Sequence, residues 1–195
     1  MPLTRPKKVL TGNLEGSIAA GNISLPAGSI IQNVIGTIRT SANITSSSFV
    51  TTGLYVDITP TSAANDIHLD FDFKIYMHNT SYVSATTWAV YRKIGSGSMT
   101  AWKYISGWDN YINRNGYAYD FYPHQRYFVY DDSHNTTSTI RYEMYAKNYA
   151  NVGGVQTYFE ENTSTPIPNS THSPGFSSNS DQIDMGMIIA QEIQR

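Results

Sequence analysis

The chain has 195 residues, no cysteine, and a formal net charge of −2 from 13 basic and 15 acidic residues. Thiolate zinc sites, redox dithiols and cysteine nucleophiles are therefore excluded, and the basic footprint of a nucleic-acid binder is missing. Charged residues make up 14% of the sequence, well under the usual quarter, while tyrosine (15) and glycine (14) are plentiful, a mix that suits strands and turns better than helices.

Residues 1–27 show no sustained period. Leu10, Leu14, Ile18 and Ile23 are spread between Gly12, Gly16 and Gly21, with Pro2, Pro6 and Pro26 as punctuation. This reads as an extended arm whose isolated apolar anchors need another surface to bury them. Arg5, Lys7 and Lys8 form a solvated basic start with no apolar stretch behind it, so no signal peptide is expected. No run approaches 18 apolar residues, so no membrane insertion is expected either.

From residue 28 to 195 the pattern has period two. Ile30, Val34 and Ile38 share one face of a first strand, and Leu54, Val56 and Ile58 alternate with Tyr55 and Asp57. Asp66 to Met77 alternates throughout: Ile67, Leu69, Phe71, Phe73, Ile75 and Met77 on one side, His68, Asp70, Asp72, Lys74 and Tyr76 on the other. Strands are expected at Thr87–Ile94 and Ala101–Ser106 around the turn Gly95-Ser96-Gly97-Ser98, then at Arg126–Tyr130. Thr139–Lys147 should point Ile140, Tyr142, Met144 and Ala146 inward. Gly153-Gly154 precedes a strand at Val155–Glu160, and Gln182–Ile193 closes the chain with Ile183, Met185, Met187, Ile189 and Ile193 on one face. About eight such strands, each with one polar face, predict an all-β, antiparallel β-sandwich of jelly-roll type with an extended N-terminal arm. Two long loops stand out, Gly107–Pro123 and Asn162–Ser180.

The candidates for chemistry all have plainer explanations. Asp70 and Asp72 are where a strand puts charge on its wet face. Asp131-Asp132 with His134 fits a turn, and Glu160-Glu161 ends a strand. The histidines at 68, 78, 124, 134 and 172 make no H-x-H or HExxH pair, and no G-x-S-x-G occurs. No catalytic residue, metal ligand or cofactor is expected. Six Asn-x-Ser/Thr triplets follow from the abundance of those residues. The aromatics are more telling. Trp108, Tyr111, Tyr117, Tyr119 and Tyr122 lie in the 107–123 loop among Asn, Gly and Asp. Aromatic faces on sugar rings with amides and carboxylates on the hydroxyls is one way to hold a glycan; packing of the loop on its own sheet or on a neighbouring subunit is the other use.

Three stretches carry a family resemblance: "LTGNLEGSIAAGNIS" (10–24) with "PAGSIIQNV" (26–34), "SSSFVTTGLYVDITPTSAANDIHLDF" (46–71) and "QIDMGMIIAQEI" (182–193). They resemble the linker and distal domain of bacteriophage tail-fibre-like proteins. The resemblance implies a virion protein, made in the host bacterial cytoplasm and working as a homotrimer. It would contact other virion proteins through its arm and a host-surface glycan or protein through its divergent middle. It brings no catalytic or binding residue with it. Three functions follow as expectations: a short tail fibre or fibre tip for host attachment, a trimeric capsid decoration or head-fibre protein anchored by residues 1–27, and, least favoured, a glycan depolymerase.

Overall fold

The computed structural model describes residues 25–38, 43–44, 46–79, 83–84, 86–105, 112–113, 119–121, 124–148, 156–159 and 186–195. Among them every regular element is a strand. The first seven are β1 (Ile30–Ile38), β2 (Asn43–Ile44), β3 (Val50–Ile58), β4 (Asp66–Asn79), β5 (Val83–Ser84), β6 (Thr86–Ile94) and β7 (Thr100–Tyr104). Then come β8 (Ile112–Asn113), β9 (Tyr119–Phe121), β10 (His124–Asp131), β11 (Ile140–Asn148), β12 (Gln156–Phe159) and β13 (Gly186–Ile193).

The strands of five residues or more are β1, β3, β4, β6, β7, β10, β11 and β13, eight in all. Their antiparallel pairing is nested: the first with the eighth, the second with the seventh, the third with the sixth, the fourth with the fifth. That nesting is the jelly roll. It gives one sheet in the order β1-β13-β4-β10 and a second in the order β3-β11-β6-β7. Strand β4 outruns its neighbours. Its first half lies between β13 and β10, and its second half between β12 and β9, with β2 on the far side of β12.

Alternation builds the core. Ile67, Leu69, Phe71 and Phe73 of β4 form one core with Leu54, Val56 and Ile58 of β3, Ile140, Tyr142, Met144 and Ala146 of β11, and Trp88 and Val90 of β6. All of these are buried, as their sequence parity requires. At one edge the two sheets come together closely. A Cβ on Gly36 of β1 would lie 2.0 Å from the backbone oxygen of Tyr55 on β3, so only glycine fits there. On β3 a second glycine, Gly53 (φ 78°), sits where the β3–β11 register shifts.

The closing strand departs from expectation. Its core side carries Gly186, Ile188, Ala190 and Glu192, whereas Met187, Ile189 and Ile193 face outward. The reason lies in its neighbour: Gly186 is opposite Phe73, Ile188 opposite Phe71 and Ala190 opposite Leu69. Large side chains on β4 leave room only for small or slender ones beside them. Strand β1 also departs, because a register shift between Ile30 and Gln32 takes Ile30 to the surface, while Val34 packs on the core. The 107–123 segment contains two short strands, β8 and β9, and so is not one uninterrupted loop. Ile183, Met185, the Gly153-Gly154 turn, Glu160-Glu161, the 162–180 loop and residues 1–24 lie outside the described residues.

The two ends of the sandwich differ. Ile38 is opposite Gly186, His124 opposite Lys74, and Asn148 opposite Thr86. The connections spanning 39–49, 80–85, 105–123 and 149–185 therefore all leave from one end. Among the described residues, the other end has the turns spanning 59–65, 95–99 and 132–139, together with residues 25–29 and 194–195. Glu192 ties the first of these down. Its Oε1 accepts from Thr61 N (2.8 Å), Thr61 Oγ1 (2.9 Å), Ser62 N (3.2 Å) and Asn65 Nδ2 (2.7 Å), and its Oε2 accepts from Gln32 Nε2 (2.6 Å). Burial opposes its charge, but the hydrogen bonds from Asn65, Gln32 and Thr61 outweigh that and hold the carboxyl below its ordinary value.

Gly36→Ala should destabilise the protein by about 1–3 kcal/mol in urea unfolding, because the new methyl meets backbone; an unchanged midpoint would mean the β1–β3 edge is looser than described. Glu192→Gln should cost about 1–3 kcal/mol at neutral pH by leaving buried donors short of an acceptor. A lowered folded value means that the Glu192 contribution is complete above the unfolded carboxyl value near 4.3 and is lost as pH falls through the folded one. Unfolding midpoints from pH 7 to pH 2 should therefore fall less steeply for the Gln variant.

Candidate contact surface

The polar face of the second sheet is aromatic. Tyr55 of β3, Tyr91 of β6 and Tyr145 of β11 occupy outward positions, with Phe49 just before β3 and Tyr104 at the end of β7. Register sets the order. Tyr55, Glu143 and Tyr91 form one row across β3, β11 and β6, and Thr51, Tyr145, Ala89 and Tyr104 form the next. Tyr91 and Tyr145 stack at 3.8 Å with 16° between planes. Phe49 tilts against Tyr91 at 6.1 Å and against Tyr104 at 5.7 Å. The result is an aromatic band about three strand spacings wide, roughly 14 Å. Tyr104 is 70% exposed at its outer end.

Charge is threaded through the band. Arg141 lies 3.9 Å over the Tyr55 ring and forms a two-pronged pair with Asp57 (2.8 and 2.7 Å). That hydrogen bond holds the Arg141 guanidinium above its ordinary value. Lys147 sits 4.8 Å over Phe49. Glu143 is buried beneath the rings and accepts a hydrogen bond from the Thr51 hydroxyl. Burial raises the Tyr91 and Tyr145 hydroxyls, helped by Tyr104 for the first and by Glu143 and Tyr91 for the second. Tyr91 and Tyr145 are therefore both neutral hydroxyls at physiological pH, able to donate and to accept. The face thus offers flat apolar rings, phenolic hydroxyls, a guanidinium and an ammonium within one patch.

The other titratable groups are taken up by structure. Asp70 pairs with Arg126 (3.2 and 2.7 Å) and Asp72 with His124, both on the outer face of the first sheet. Asp131, at the end of β10, is fully buried. Its Oδ2 accepts from Arg92 (2.6 Å) on β6 and from the Tyr142 hydroxyl (2.6 Å) on β11, and its Oδ1 accepts from Ser133 N (3.2 Å). Burial, then the hydrogen bond to Asp131, keeps the Tyr142 hydroxyl protonated. His134 is buried too, its Nε2 2.7 Å from the Asn65 carbonyl and its Nδ1 3.0 Å from that of Thr136. Among the described residues no group of three His, Cys, Asp or Glu is placed to hold a metal ion.

Of the residues singled out in the 107–123 loop, the structure places the backbone of Tyr119, which opens β9 opposite Asn79. Trp108, Tyr111, Tyr117 and Tyr122 lie outside the described residues, as do Leu10, Leu14, Ile18 and Ile23 of the arm. Sequence reasoning missed the sheet-borne band. The available signal was a tyrosine at the wet positions of three strands, where charge or threonine is usual.

No protein-family model matches the chain, and no curated protein does. Solved structures with a similar fold include the infectious bursal disease virus VP2 subviral particle, at TM-score 0.44 and 11% identity over 90% of this chain and 36% of that one. Structures of the Gx and Gt strains of the same virus match at TM-scores of 0.39 and 0.38 and identities of 10% and 11%. They are covered over 37% and 47% of their length, against 84% and 98% of this chain. The chain spans between a third and a half of these structures, and likeness at this level decides neither family nor function.

Asp131→Ala should lower stability by about 3–5 kcal/mol in urea unfolding, since it strands Arg92 and Tyr142. Asp70→Ala, on an exposed face, should leave the midpoint nearly where it was. The opposite ranking would show that the sheets are not held together by the buried carboxylate.

Proposed function

We propose that the protein is a non-enzymatic virion component that attaches a bacteriophage to its host surface, as the tip of a short tail fibre. The observation that carries this reading is the aromatic band on the second sheet. Rigid tyrosines supply contact area at low entropic cost, and sugars and peptides both pack on such rings. The family resemblance of 10–34, 46–71 and 182–193 supplies the virion setting and the homotrimer. Trp108, Tyr111, Tyr117, Tyr119 and Tyr122 of the 107–123 segment are further receptor contacts on this reading, by the same ring-and-hydroxyl chemistry. Residues 1–27 are the attachment to other virion proteins. A host-surface glycan fits the ring-and-hydroxyl chemistry best. Three weak sites on one trimer then act by avidity.

Purified protein should bind host cells saturably, and pre-incubation of the cells should block infection. Tyr104→Ser with Tyr55→Ser removes two exposed rings and should weaken each site by about 0.5–1.5 kcal/mol per ring, roughly twofold to tenfold, with the thermal midpoint kept. Saturable binding to capsids and none to cells would replace this reading with capsid decoration.

A further inference from the structure

Among the described residues three acids are buried: Asp131, Glu143 and Glu192. Two of them are well supplied with donors. Asp131 accepts from Arg92, Tyr142 and Ser133, and Glu192 from Gln32, Thr61, Ser62 and Asn65. Glu143 is 8% exposed, and its donor among the described residues is the Thr51 hydroxyl, on Oε1. A carboxylate has room for about four hydrogen bonds, and burying it short of them is costly. Its Oε2 has no donor among the described residues and is left to accept from a ligand.

The surroundings of Glu143 are built around it. It occupies an outer position of β11, directly between Tyr55 on β3 and Tyr91 on β6, and Arg141 and Tyr145 flank it along the same strand face. The β3–β11 register shifts beside it, around Gly53, and bulges re-aim neighbouring side chains. Gly53 N donates to Thr51 Oγ1 (2.9 Å), and the Thr51 hydroxyl donates in turn to Glu143 Oε1. One carboxylate oxygen is thereby fixed from within the fold.

We infer that Glu143 is the hydroxyl acceptor at the centre of the aromatic band and makes that band selective for neutral sugars. Charge decides the ligand class. The strand positions of this face carry Arg141, Lys93 and Lys147 against Asp57 and Glu143, so neither sign prevails strongly over the whole. At the centre the Glu143 carboxylate repels an acidic sugar, and Arg141 beside it repels an ammonium group. A neutral sugar meets neither penalty. Its hydroxyls donate to Glu143, its oxygens accept from the tyrosine hydroxyls, and its apolar face lies on the rings. A hydroxyl on an ionised acceptor makes a stronger bond than one on a neutral acceptor, which gives Glu143 its leverage over selectivity.

The inference rests on the reading of the band as a glycan-contact surface; it names the class of glycan and the residue that selects it. The probes are immobilised oligosaccharides of glucose, galactose or mannose, each beside its uronic-acid counterpart. Wild type should bind at least one neutral member and prefer it to that counterpart. Glu143→Gln, checked for an unchanged thermal midpoint, should weaken the neutral binding about tenfold, the difference between an ionised and a neutral acceptor, and narrow the preference over the uronic acid. Thr51→Val removes the orienting hydroxyl and should act in the same direction, whereas Thr51→Ser should bind as wild type does; this pair carries the test if Glu143→Gln does not fold. A merely structural Glu143 would move the midpoint and leave the neutral-to-acidic ratio alone. Equal or stronger binding of the acidic members, neutral binding indifferent to Glu143→Gln and Thr51→Val, or no bound member overturns the inference. Saturable binding of the wild-type protein to host cells reads the attachment function separately, so the two failures are distinct.

Discussion

Two sheets with apolar inner faces attract each other without direction, and something must fix how they sit. Here the Asp131 carboxylate does so. It belongs to the edge strand of the first sheet, and its partners Arg92 and Tyr142 belong to the second. A buried charge with a cation and a hydroxyl aimed at it has one good position, whereas a greasy interface has many. Glu192 does similar work at the same end, gathering the 59–65 turn and Gln32 around one carboxylate. His134 joins these regions by its contact with the Asn65 carbonyl. The short-turn end is therefore a polar lock.

The two outer faces have different characters. The second sheet presents rings threaded with charges of both signs, with Lys147 over Phe49 and Arg141 over Tyr55. The first presents aliphatic and aromatic side chains beside the Asp70–Arg126 ion pair and the Asp72–His124 hydrogen bond. On the proposed reading, the face of the second sheet suits a polar ligand with flat apolar patches.

Much of this was legible in the sequence where one strand face is wet. Ile67 to Phe73, Leu54 to Ile58 and Ile140 to Ala146 point inward as their parity requires, because polar partners alternate with them. Legibility failed where that contrast fails. On β13 both faces are apolar, and the core side is chosen by Phe71, Phe73 and Leu69 on the neighbouring strand, which no local pattern reveals. Asp131 reads as half of a turn dipeptide, since its partners lie 39 and 11 residues away. The dense aromatics of 102–130 drew attention from Tyr55, Tyr91 and Tyr145, which are far apart in the chain and neighbours only through the β3-β11-β6 pairing.

Native-state hydrogen exchange tests the central claim, that the two sheets form one cooperative unit fastened by Asp131. The account predicts a single, highest opening free energy shared by core amides of both sheets, Leu69 and Ala190 on one side and Val90 and Tyr142 on the other. It also predicts that Asp131→Asn splits that value into two. Separate values for the two sheets in the unaltered protein would contradict it.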